Sequence, residues 1–146
     1  MKKLQGLLLV LVALVLTTGC GNKVMTCTMK ETDDDGYTAE STRKITSKND
    51  EVVKIVETTI AEADEETIDS IISFSEAALK TFNEIEGMEV KFEKVNSTKY
   101  KQTMSIDYDK INLDDLGELF GDSSDAKKQS LDELIKQAEE EGYTCK

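Results

Sequence analysis

The sequence predicts an α+β domain with an antiparallel sheet of about five strands, in the order β-β-β-α-β-β-α, and with helices packed on one face. Three observations predict this class. Segments rich in Thr, Val and Ile alternate between apolar and polar residues, which favours half-buried strands. An apolar period close to 3.6 residues follows, which is typical of an amphipathic helix. Two more alternating segments and a second amphipathic segment complete the chain.

The first three strands are predicted over residues 24–30, 37–47 and 51–60. The turn between the first two contains Asp-Gly at 35–36, a strong hairpin signal. Lys-Asn-Asp at 48–50 separates the second strand from the third. Because short turns join antiparallel neighbours, these strands are expected to form a meander.

The first turn has an alternative interpretation as a calcium loop. Glu31, Asp33, Asp35 and Gly36 occupy positions one, three, five and six of such a loop. Position twelve is Thr42, where the loop needs a bidentate Glu. A hairpin turn is therefore the favoured interpretation.

The long helix is predicted between Asp64 and Gly87. Asp64 can cap its first turn, in which Glu65 and Glu66 interact favourably with the helix dipole, and Gly87 is a natural stop. Its apolar face consists of Ile68, Ile71, Ile72, Ser75, Leu79, Phe82 and Ile85.

A second hairpin is predicted over 88–108, with one apolar and one charged face, because apolar and charged residues alternate along both of its strands. A short helix is predicted over 112–121. A capping-box pattern at Ser130 begins the last helix, which Gly142 ends, and residues 143–146 extend. Four methionines fall on predicted strand faces, where core filling is expected and a soft-metal or apolar-ligand site is the alternative: Met25, Met29, Met88 and Met104.

The first 19 residues have the three-part layout of an export signal. Lys2 and Lys3 are basic, 6–16 is an almost unbroken apolar run, and small residues follow. A membrane-spanning helix needs about 20 apolar residues, so this shorter run predicts a signal peptide over 1–19.

The segment Leu16-Thr17-Thr18-Gly19-Cys20 resembles the lipobox of bacterial lipoproteins, with its Leu one place earlier than usual. In that family the Cys thiol receives a diacylglyceryl group, and a peptidase cleaves just before the Cys. The resemblance implies acylation of Cys20, by chains such as palmitate, and a location at the extracytoplasmic face of the cell membrane. Residues 20–23 then form the lipidated Cys and a short tether, and 24–146 form one domain. An ordinary signal peptide followed by an unmodified cysteine is the alternative.

The net charge and the residue types that are present limit the partners and the reactions that the domain can have. Without Lys2 and Lys3 the mature chain has 16 basic and 30 acidic residues, a net charge near −14. This excess argues against nucleic acid and is typical of a solubilising surface, with a cation site as the alternative. The chain has no His, which excludes Ser-His-Asp and Cys-His catalysis. No metal or cofactor is predicted.

Two cysteines remain once Cys20 is lipidated. An even pair outside the cytoplasm predicts a disulfide between Cys27 and Cys145. Two buried free thiols are the alternative.

Taken together, the chain resembles the YehR-like family of small bacterial lipoproteins, a domain family of unknown function. The resemblance covers the whole mature chain and implies the α+β class and the surface location, but no catalytic residues. It is carried by the long helix and by four segments: the lipobox at Cys20, Cys27-Thr28-Met29, Val56-Glu57-Thr58-Thr59 and Tyr143-Thr144-Cys145.

The predicted function is that of a non-catalytic, lipid-anchored interaction or ligand-binding domain of the cell envelope. It contacts the membrane through the lipid on Cys20, and its partner is an unidentified envelope protein or small ligand. The alternative is an envelope hydrolase using a carboxylate pair, which needs two close carboxylates, one with a raised pKa. A solute receptor for a transporter is disfavoured, because a single domain of this length offers no two-lobed cleft.

Overall fold

The chain forms an antiparallel sheet in the order β4-β5-β3-β2-β1-β6, with helices packed on it. A computed structural model describes residues 21–33, 36–112 and 129–146. The strands are β1 (Asn22–Thr32), β2 (Thr38–Lys48), β3 (Glu51–Glu62), β4 (Met88–Asn96), β5 (Lys99–Asp107) and β6 (Thr144–Cys145), and the described helices are α1 (Glu65–Asn83) and α2 (Leu131–Glu140). The predicted α+β class and antiparallel sheet are confirmed.

The described residues form a sheet of six strands, whereas the sequence predicts about five. The first three form the predicted meander, and α1 then crosses over so that β5 lies next to β3 and β4 becomes the outer strand. The additional strand is β6, which has two residues and pairs with β1. Two residues are too few for an alternating pattern to reveal a strand. β1 begins at Asn22, before the predicted start at Val24.

Side-chain caps fix where the two helices begin. The Oδ1 of Asp64 accepts a hydrogen bond from the Thr67 N–H at 2.9 Å. In α2, Ser130 and Glu133 form the predicted capping box, with the Glu133 carboxylate accepting from the Ser130 N–H at 3.0 Å. α1 ends at Asn83, a few residues before the predicted stop. The predicted short helix lies outside the described residues after position 112.

The sheet has one face that the described helices cover and one that they leave open. Direct partners in antiparallel strands point to the same face, and successive residues alternate. The covered face carries the four strand methionines and most buried strand residues, among them Cys27, Ile45, Ile55, Ala61, Met88, Val90 and Tyr100. Leu131, Leu134 and Ala138 of α2 pack on the β1–β3 side of this face, and Ile68 of α1 packs near Tyr100.

A side chain closes part of the outer edge of β4. The amide of Asn83, at the end of α1, donates to the Val90 carbonyl at 3.0 Å and accepts from the Val90 N–H at 2.7 Å. These are the two hydrogen bonds that a neighbouring strand would make. Further along the edge, the register shifts between Lys94 and Asn96 and leaves Val95 as a bulge.

Gly87 lies where no side chain fits. Its φ is +88°, and a Cβ atom there would lie 2.7 Å from the Ile111 nitrogen and 2.8 Å from the Asp107 carbonyl oxygen. We expect Gly87→Ala to lower the free energy of unfolding by about 3 kcal/mol, because left-handed strain adds to a clash with rigid backbone. Gly36→Ala is the matched control, since the φ of Gly36 is +86° but, apart from its chain neighbours, no atom of the described residues lies within 4 Å of a Cβ placed there. It should lose only about 1 kcal/mol in urea unfolding. Equal losses in the two variants would contradict the packing argument.

Candidate interaction face

The covered face holds a charged cluster beside the C-terminal end of α2. Arg43 of β2 lies opposite Glu57 of β3 and donates from Nε to its Oε2 at 2.7 Å. Its Nη1 donates to Glu141 at 3.0 Å, and its guanidinium carbon lies 4.4 Å from the ring centre of Tyr143. The Tyr143 hydroxyl donates to Oε1 of Glu57 at 2.9 Å. The Arg43 and Glu57 side chains are each 18% exposed, so water competes little with these bonds.

The partners within this cluster satisfy one another. Both carboxylate oxygens of Glu57 accept hydrogen bonds, and Nε, Nη1 and Nη2 of Arg43 all donate. Burial, together with the hydrogen bond to Glu57, raises the pKa of Tyr143, so its hydroxyl stays a donor at neutral pH. We conclude that the cluster fastens the C-terminal segment to the sheet.

A disulfide reinforces that attachment. The predicted pair, Cys27 and Cys145, is joined by a 2.01 Å bond between direct partners in β1 and β6. Cys27 is fully buried. Since Tyr143 lies two residues before Cys145, the bond also holds the tyrosine ring over Arg43.

The carboxyl groups with displaced pKa values in the described part of the chain all lie below their usual range. A hydrogen bond from a lysine lowers the pKa of Glu40 and of Glu89, and one from Thr67 lowers that of Asp64. The backbone of Ser130 lowers the pKa of Glu133. A hydrolase acid must instead be held protonated by a raised pKa, so these four groups do not supply the acid of the hydrolase alternative.

Two predicted sites depend on residues beyond those described. Cys20 and Asp35 both lie outside the described ranges. Asp33 acts within its turn, because its Oδ1 accepts from the Tyr37 N–H at 3.0 Å and its carbonyl accepts from the Gly36 N–H. Across 21–33, 36–112 and 129–146, no group of three His, Cys, Asp or Glu residues could hold a metal ion.

The open face carries a row of threonines that crosses five neighbouring strands. Thr28, Thr42, Thr58 and Thr103 are direct partners on β1, β2, β3 and β5. Thr144 of β6 extends the row beyond Thr28. Threonine favours strands, and Thr–Thr pairs stabilise neighbouring strands. The row therefore gives this face a regular centre of methyl and hydroxyl groups.

The next row of the open face alternates in charge. Lys30, Glu40, Ile60, Lys101 and Glu93 are successive partners on β1, β2, β3, β5 and β4. The Lys30 ammonium donates to Glu40 at 2.8 Å. Ile60 lies at the centre of the row and is 41% exposed. From one side to the other, the row is positive, negative, apolar, positive and negative.

The open face is almost neutral, although residues 20–146 together have a net charge near −14. Its strand lysines are Lys30, Lys44, Lys48, Lys54, Lys91, Lys99 and Lys101. Its strand carboxylates are Glu40, Glu51, Glu62, Glu89, Glu93 and Asp107. The acidic excess of the protein therefore lies elsewhere, and this face lacks the like-charge repulsion that keeps protein surfaces apart.

The sequence alone does not predict these rows. Alternating Thr, Lys and Glu show which residues of one strand share a face. The rows also depend on the register between strands and on β5 lying beside β3, which residue patterns do not specify.

The described part of the chain is a small α+β domain whose two described helices pack on the same face of the sheet. No protein-family model and no curated protein matches the chain. The solved "NMR structure of the protein from Streptococcus pneumoniae TIGR4" is similar over 100% of this chain and 96% of that chain, with a TM-score of 0.62 and 17% identity. At this identity the likeness shows the fold alone. None of the described helices is long and apolar enough to cross a membrane.

Proposed function

We propose that the protein is a lipid-anchored lipoprotein of the cell envelope whose domain is a non-catalytic interaction module. The open face carries the proposal, because the described helices pack on the other face and leave Ile60 and the alternating charges uncovered. Its partner is an envelope protein or a small ligand. The resemblance to the YehR-like lipoproteins supports the same location.

The start of β1 supports anchoring at the extracytoplasmic face of the membrane. Only Gly21 separates Asn22, the first strand residue, from Cys20. The Gly21 carbonyl accepts from the Asn49 N–H at 3.3 Å, so this residue lies at the β2–β3 turn. One residue spans about 3.5 Å, and acyl chains on Cys20 would therefore bring this end of the sheet to the headgroups. The disulfide fits the oxidising environment outside the cytoplasm.

Replacing the acylated cysteine tests the anchor. We expect the wild-type protein to incorporate labelled palmitate and to sediment with membranes, and Cys20→Ala to lose both properties. The double variant Cys27→Ala/Cys145→Ala is the matched control and should keep the label. An unlabelled wild-type protein in the soluble fraction would refute the anchor.

Photo-crosslinking in intact cells tests the interaction face. A photoreactive residue at Thr103, on the open face, should form protein adducts. The same residue at Phe74 should form none, although the Phe74 side chain is 82% exposed, because α1 packs on the covered side. If adducts formed at Phe74 and not at Thr103, the partner would contact the side of the domain that carries the helices. The assignment of the open face as the interaction surface would then be wrong.

A further inference from the structure

We infer that the partner of the open face is a second copy of this chain, packed face to face about a two-fold axis parallel to β3. This inference rests on the proposed anchoring of Cys20 and deepens the proposed function. It follows from three observations on the described strands: the order of charges in the row through Ile60, the near neutrality of the face, and the end of the sheet at which β1 begins.

The charge row is complementary to its own copy. An axis along β3 lays β1 over β4 of the second copy and β2 over its β5, because β3 is the middle of these five strands. Lys30 then faces Glu93 of the second copy, and Glu40 faces Lys101. Ile60 meets its own equivalent at the axis. The symmetry generates each charge contact twice.

The other rows fit the same axis. Thr58 and Val56 meet their own copies, so the centre of the contact is apolar or neutral. Lys91 lies across from Thr28 of the second copy. Charged side chains lie around this centre, as in protein interfaces generally.

The two ends of β3 also bring like charges together on the axis. Glu62 and Lys54 would each approach its own equivalent. Within one copy, however, Lys99 forms an ion pair with Glu62, and Lys54 lies opposite Asp107. Glu62 and Lys54 each therefore have a residue of opposite charge beside them where they approach their equivalents in the second copy.

The membrane anchor selects this axis over the alternative. An axis along the strands leaves both copies of Gly21 at the same end of the pair, so both lipids can enter one bilayer. An axis across the strands would put the anchors at opposite ends. That arrangement would also bring Glu93 over Glu89 of the second copy, a repulsive contact that opposes the association.

The area of the face indicates an association that depends on the membrane. Five strands about 4.8 Å apart, with four to five rows of outward side chains, cover roughly 600 Å². A standard stable interface buries about 800 Å² on each partner. Tethering two copies in one bilayer raises their effective concentration and offsets this deficit.

Thiol cross-linking in native membranes tests the pair. With Cys20 acylated and Cys27 bonded to Cys145, Ile60→Cys introduces the one reactive thiol of the chain. A bismaleimide with a reach of about 10 Å, the spacing of packed sheets, should join two copies at this position. Val95→Cys is the matched control: Val95 is 52% exposed on β4, far from the axis, and it should not cross-link.

Charge reversal tests the register of the contact. In the Ile60→Cys background, Glu40→Lys should lower the yield of cross-linked dimer about tenfold, because the introduced ammonium group would face Lys101 of the second copy. Adding Lys101→Glu should restore the yield to within about twofold of the starting level. The Glu40→Lys variant and the Glu40→Lys/Lys101→Glu variant both lack the Lys30–Glu40 ion pair within one copy. If the two variants unfold at the same temperature, a difference in their yields of cross-linked dimer does not come from a difference in stability.

The possible results separate the two proposals. A wild-type protein in which peptide mapping finds maleimide on Cys20 has a free thiol there, and the anchor proposal fails. A monomeric Ile60→Cys protein with an unreactive Cys20 overturns the dimer alone. A cross-link from Ile60→Cys to a protein of different mass also overturns the dimer. So does a Glu40→Lys/Lys101→Glu variant whose yield of cross-linked dimer is as low as that of Glu40→Lys.

Discussion

Breaking the Cys27–Cys145 disulfide should lower the free energy of unfolding by about 4 kcal/mol. The two residues are separated by 118 positions, so the bond removes much of the conformational freedom of the unfolded chain. A domain of this size is typically stable by about 5–15 kcal/mol, and the loss is therefore a large share of the total. Guanidinium unfolding of detergent-purified protein, with and without dithiothreitol, measures it.

The reductant has an internal control. The Cys27→Ala/Cys145→Ala variant lacks the bond from the start, so dithiothreitol should not change its free energy of unfolding. A wild-type midpoint that does not move on complete reduction, with both thiols then open to alkylation, would show that the bond adds no stability. Breaking the disulfide should also have a local effect. The amide protons of Thr26 and Lys146, each of which is hydrogen-bonded to the carbonyl group of the other residue, should exchange faster with solvent, because β6 has only two residues.

Arg43→Met should lower the free energy of unfolding by about 2–3 kcal/mol. The substitution keeps most of the apolar stem but leaves the Glu57 carboxylate, whose side chain is 18% exposed, without its cation. Tyr143 would be its remaining partner in the cluster. Replacing both charges, in Arg43→Met/Glu57→Met, should recover most of the loss, because no unpaired charge then remains buried. Urea unfolding of the single and double variants measures the difference.

An exposed ion pair on the same sheet provides the control. Lys30 and Glu40 are direct partners whose side chains are 66% and 65% exposed. Water and salt already screen such pairs, so Lys30→Met should leave the unfolding midpoint within experimental error. If Arg43→Met were as mild as Lys30→Met, the buried cluster would contribute no more than a surface pair, and its proposed role in holding the C-terminal segment would be wrong.

Local signals in the sequence predict much of the fold. Asp64 and Ser130 mark both described helix starts correctly, because N-caps act through hydrogen bonds to residues two or three positions away. The apolar face of α1 and the apolar side of the second hairpin are also predicted correctly, because apolar residues recur along the sequence at helical and at alternating spacing, respectively. β6 escapes such reasoning, since its pairing with β1 depends on residues far apart in the sequence.

The candidate face is less predictable than the core. Thr58 and Ile60 look like ordinary strand residues within their own segment. Their partners Thr103 and Lys101 are more than 40 positions away and become neighbours only because α1 places β5 beside β3. The Arg43 cluster is hidden for the same reason, because Glu141 lies near the other end of the chain.

The hydrogen bonds of Asn83 bear on how this protein resists aggregation. A sheet edge with free N–H and C=O groups is a template on which further strands can add, one molecule after another, towards a fibril. An incoming strand at β4 would have to displace both Asn83 bonds to Val90 and to follow the bulge at Val95. Both features oppose open-ended growth along the hydrogen-bonding direction. This edge of the sheet therefore carries a barrier to polymerisation, whereas the dimer proposed for the open face is a contact that closes after two copies.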